Sequence, residues 1–162
     1  MRFLKFAAAG GCILATVSVA RAQAPQTEHN VSMAMAMAIM QATLDQCTKD
    51  GKKVSVVIID KGGNVAASIR GDGTGPHTME TARLKAYTAR TRGITSLEFR
   101  KTTATETIHF RLIPGTIALG GGVPIKIGAE TIGGIGVSGS PTEEQDEICA
   151  NAGIEKVAAA LK

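Results

Sequence analysis

The 162-residue sequence has no Trp, a single Tyr and four Phe. A core organised around aromatic rings is therefore excluded, and aliphatic side chains, Ala and Met must fill the interior. Three cysteines are too few for a disulfide-dense scaffold. A hydrophobic share of 44% with 20% charged residues rules out a disordered chain. The common catalytic signatures are missing: there is no Gly-x-Ser-x-Gly elbow and no His-Glu-x-x-His. Gly120-Gly121-Gly122 lacks the Gly-Lys-Ser/Thr ending of a phosphate loop. The three histidines, His29, His77 and His109, have no metal-spacing partners, which argues against a structural zinc site.

What is present begins with an address. Met1 to Lys5 is a short basic start, residues 6–20 carry no charge, and Ala20-Arg21-Ala22 has the small-x-small form of a cleavage site. Together they read as a Sec-type signal peptide over residues 1–22, cut after Ala22, because the apolar run is shorter than the ~20 residues of a membrane span. The expected destination is periplasmic or secreted. Residues 23–162 then form one domain of 140 residues, long enough to bury about 70% of its unfolded surface. The formal charge of +4 is deceptive. Arg2, Lys5 and Arg21 leave with the signal, so the mature chain is near +1, with no basic cluster to suggest nucleic acid. Arg90, Arg92, Arg100 and Lys101 alternate with Glu98 and read as a solvated helix face. Cys47 and Cys149 remain. Export permits a bridge between them; two buried thiols on separate helices are the other reading.

Periodicity orders the elements. Residues 32–48 form a helix capped by Ser32, with Met33, Met37, Met40, Leu44 and Cys47 expected on the core face as adaptable packing rather than metal ligands. Residues 54–60 and 65–70 are strands joined by the tight turn 61–64. Residues 78–92 and 95–103 are helical, and 106–114 is a loop. Strands follow at 116–119, 123–127 and 130–138. The last helix spans 142–161, opened by Thr142, with acids in its first turns where the helix dipole favours them. The order α-β-β-α-α-β-β-β-α makes an α+β fold with a mostly antiparallel five-stranded sheet. Gly134-x-Gly136-x-x-Gly139 matches a dinucleotide fingerprint formally, but no strand follows to complete a βαβ unit. These glycines read instead as positions of close backbone approach. His109, beside Phe110, is a candidate interior residue.

Several segments together resemble a known family. They are the run from Val56 to Gly63, Ile69-Arg70-Gly71-Asp72-Gly73, and Lys85-Ala86-Tyr87-Thr88-Ala89. The more specific ones are Ile113-Pro114-Gly115-Thr116 with Gly121-Gly122-Val123-Pro124-Ile125, and the run from Ile132 to Gly139 with Asp146-Glu147. The mature chain resembles the GlcG/HbpS family, also called the haem-degrading or DUF336 family. That resemblance implies a profilin-like sandwich and a homo-oligomer, often an octamer. It also implies haem held with its iron between His29 and Thr116. Arg70, Arg83 and Lys85 are the cations that the resemblance offers to the propionates. It implies an exported haem-binding protein that sequesters haem or senses haem or redox state, not primarily an enzyme. An enzyme that degrades haem or acts on a small organic acid is one alternative. A non-catalytic partner of a membrane sensor is another.

Overall fold

The computed structural model describes residues 25–162, so the expected signal peptide lies outside the described residues. Helix α1 covers Met33–Lys49, and strands β1 and β2 cover Ser55–Ile59 and Val65–Arg70. Helices α2 and α3 span Thr78–Arg92 and Ser96–Thr102, and a short 3-10 turn spans Ile108–Leu112. Strands β3 and β4 follow at Gly122–Ile127 and Glu130–Ser138, then helix α4 at Glu143–Lys156. The caps are those the sequence offers. Ser32 Oγ accepts from Met35 N, Thr95 Oγ1 from Glu98 N and Thr142 Oγ1 from Gln145 N.

The sheet is antiparallel throughout, in the order β2-β1-β4-β3. Its alternation assigns the layers. Val56 and Ile58 of β1, with Ile135 and Val137 of β4, join the core cluster that contains α1 and α4 residues. Val57 and Ile59 turn the other way and pack on Ala82 and Ala86 of α2. Both faces are therefore covered, which explains why all five residues of β1 are buried.

Three expectations need correction. The sheet has four strands among the described residues, not five. Residues 116–119 run as irregular chain because their polar groups are taken elsewhere: Thr88 Oγ1 of α2 accepts from Ile117 N, and Glu143 Oε2 accepts from Gly120 N at the end of the segment. Met33 and Met37 are 65% and 49% exposed. The buried stripe of α1 is Ala36, Ile39, Met40, Thr43 and Cys47, turned about 60° from the expected one. This face is the one that α4 approaches closely; a Cβ on Gly153 would sit 2.7 Å from Ile39 O. His109 is exposed, its ring tilted against that of Phe110 with centroids 4.4 Å apart, rather than interior.

Cys47 and Cys149 are joined, with Cα atoms 5.5 Å apart and a sequence separation of 102. The bridge ties α1 to α4. The glycines of β4 act as read: a Cβ on Gly134 would lie 2.6 Å from Ala86 O, and one on Gly136 would overlap Ala82 O. Their absent side chains let α2 lie directly on the sheet.

Candidate functional site

Both hairpin turns lie at one end of the sheet, because β1 runs into the 61–64 turn where antiparallel β4 begins. Charged side chains converge there. His29 Nδ1 is 2.8 Å from Glu130 Oε2, at the first residue of β4. Lys61 Nζ donates to the other carboxylate oxygen, Glu130 Oε1, at 2.7 Å and reaches Glu28 at 3.2 Å. Asn30 Oδ1 accepts from both Val31 N and Lys61 N, pinning the segment between His29 and α1 to the turn. The bonds from Lys61, then His29, hold the Glu130 carboxyl below its ordinary range, and Glu130 in turn raises Lys61. The imidazole side chain stays 66% exposed. Its Nε2 has no hydrogen-bond partner among the described residues. A carboxylate on one ring nitrogen with the other open is the arrangement that orients an imidazole for ligation.

Thr116 belongs to the neighbouring loop. One aromatic ring links the two: a Cβ on Gly63 would sit 2.9 Å from Tyr87 Cε2, and one on Gly115 3.1 Å from Tyr87 Cε1. Both glycines have positive φ, 85° and 81°, so the turn and the 113–116 loop close on opposite edges of Tyr87. Arg90 Nε donates to Lys61 O at 2.7 Å and fixes the turn to α2. Thr116 Oγ1 donates to Ile113 O at 2.8 Å.

The remaining sequence-derived residues lie elsewhere. Arg70 pairs in register with Ser55, four residues from the turn end of β1, about 13 Å along the strand. Its guanidinium donates to Thr74 O at 2.8 Å. Arg83 pairs with Glu80 on the surface of α2. Lys85 is buried, donating to Asp146 Oδ2 at 2.8 Å and Val137 O at 3.0 Å. The 61–64 turn and the Tyr87 ring thus connect the His29 cluster to the loop that carries Thr116, whereas the three cations are dispersed. The arginines expected on a solvated face are also engaged. Arg92 lies over the Phe110 ring at 4.5 Å and the Phe99 ring at 5.7 Å, and Arg100 reaches Glu143 at 3.1 Å.

A family model described as "Haem degrading protein HbpS-like" matches residues 31–155. The chain belongs to the HbpS-like family. Protein GlcG of Escherichia coli strain K12 is 33% identical over 118 residues, which is 70% of this chain and 84% of that protein. The crystal structure of a Streptomyces reticuli HbpS double mutant is similar with a TM-score of 0.79 at 33% identity, covering 88% of this chain and 97% of that one. A PduOC:heme complex shares the fold, with a TM-score of 0.70 at 24% identity over 77% of this chain and 93% of that one. In this HbpS-like chain the residues that sequence reasoning missed are Glu130, Lys61 and Asn30. Glu130 is 101 residues from His29. Only the antiparallel register, which sets the start of β4 beside the end of β1, brings them together.

Proposed function

We propose that the protein is an exported haem-binding protein whose imidazole ligand is His29, serving haem sequestration or haem and redox sensing. The observation that carries the reading is the Glu130–His29 bond, which leaves Nε2 open at an exposed edge of the sheet. A haem family that includes a 33% identical HbpS supports it. The residues fit the group in chemistry. A neutral imidazole is a standard axial ligand to haem iron. Glu130 accepts the Nδ1 proton and thereby fixes the tautomer, and Lys61 holds Glu130 in place. Thr116, from the loop across Tyr87, is the second candidate ligand, a hydroxyl whose proton Ile113 O already accepts. Met33 and Val65, at the first residues of α1 and β2, offer exposed apolar surface at this end. Bound haem would supply redox chemistry; the chain's own part is to hold and orient it.

The Cys47–Cys149 bridge supports export, since such bridges persist in oxidising compartments. Among the described residues β2 and β3 each have one edge without a partner strand, which supports assembly with further copies. Haem titration of the purified protein, followed by its Soret band, tests the reading. Saturable binding is expected, with loss of the shifted band in His29→Ala. Failure of the parent protein to bind haem in either oxidation state would sink it.

A further inference from the structure

A cleft of about 610 Å³ opens at the end of the sheet away from His29, between the N-termini of α2 and α4. Its lining carries several hydroxyls, Thr74, Thr78 and Ser140 among them, together with lysines and glycines, and Leu119 and Pro141 are its apolar side chains. Its charge is unbalanced. The two acids of the cleft are already occupied: Asp146 by Lys85 and by Ser140 N, Glu143 by Arg100 and by Gly120 N. Lys52 and Lys53, which also line it, have no ion-pair partner among the described residues. Asp50, the nearest acid along the chain, accepts from Gln46.

The depth of the cleft carries a second signal. Lys85 has only 4% of its side chain exposed, yet an ammonium has three N–H donors and two are used. The third has no partner among the described residues, and a buried unused donor on a charged group is costly. Ser140 Oγ, on the same wall, is buried and also unpartnered. Both residues flank the Asp146 carboxylate, Lys85 Nζ at Oδ2 and Ser140 N at Oδ1, so the open donor lies beside the cleft's acid.

We propose that this cleft is a second ligand site, for a small hydrophilic polyanion, with the Lys85 ammonium at its floor and Lys52 and Lys53 at its rim. Carboxylate and phosphate oxygens meet these donors equally well, and the volume exceeds what a single inorganic ion fills. The site is separate from the His29 end and does not depend on haem.

Calorimetric titration of the purified protein with citrate and, separately, with inorganic pyrophosphate at low salt tests this. One saturable site per chain is expected for at least one of them. Citrate alone would assign carboxylates, and pyrophosphate alone phosphates. In the surface variant Lys52→Ala/Lys53→Ala the dissociation constant should rise about tenfold or more, the loss of roughly one good charge contact. His29→Ala should leave it unchanged. Lys85→Met, if its circular dichroism shows a folded chain, should abolish binding; if it does not fold, the rim variant decides. Absence of binding for both anions, or equal binding in the rim variant, overturns the proposal.

Discussion

Glu147 has a carboxylate oxygen buried without a partner. Burial pushes its carboxyl above the ordinary range, with Glu144 and Glu98 adding to the rise and Thr95 and Lys101 opposing it. A raised carboxyl favours folding below its unfolded value and loses that contribution as pH climbs through the folded value. Glu147→Gln is therefore expected to raise the melting temperature at pH 7 by about 2 °C, and by nothing near pH 4, in parallel thermal melts. Glu130 has the opposite sign. Its carboxyl is held low, so its tie to His29 and Lys61 persists above the ordinary carboxylate range and is lost as pH falls through the depressed value. Glu130→Ala should weaken haem binding about 10–100-fold while leaving the fold intact, measured by the same Soret titration. His29 was reachable from the sequence only through the family resemblance. Glu130 was not, because nothing local marks a residue whose role depends on strand register. Lys85 shows the limit from the other side. Its segment was recognisable, but its burial against Asp146 depends on α4. Asp146→Asn would strand that ammonium and should cost about 3–5 kcal/mol in a denaturant titration.

Most elements could be read from period and caps, and the failures have local causes. Residues 116–119 have strand-forming composition, yet the Ile117 amide is claimed by a threonine on α2 and that of Gly120, just beyond, by a glutamate on α4. The methionines of α1 suggested a core face, but the stripe that α4 approaches closely is a different one. Helix-to-sheet distance is set by glycine. Gly136→Ala would drive a methyl into Ala82 O, and Gly134→Ala one into Ala86 O. Either should lower the melting temperature strongly, with Gly136→Ala the worse, because backbone atoms cannot swing aside as a side chain can. Between α1 and α4, the bridge closes a loop of about 100 residues, for which chain entropy allows up to ~4.7 kcal/mol. The double variant Cys47→Ser/Cys149→Ser should therefore unfold at distinctly lower urea concentration, by about 2–4 kcal/mol. A matching loss is expected when the parent protein is reduced before unfolding.

Across the whole molecule, two chemically different ends share one sheet. The turn end gathers a tethered imidazole, a glutamate and a lysine around exposed apolar residues. The opposite end gathers hydroxyls and uncompensated lysines around a deep cleft. The layer between them has an unusual order in time. The face of the sheet bearing Val56 and Ile58 is covered by α1 and α4 together, and these helices belong to distant parts of the chain. Synthesis at about 5–20 residues per second places α4 some 5–20 s behind α1. For that interval α1 has emerged without the helix it packs against, and the strands have emerged with one greasy side uncovered. Vectorial synthesis thus builds in a delay before the core can shut, a window in which a holding chaperone could keep the nascent chain open.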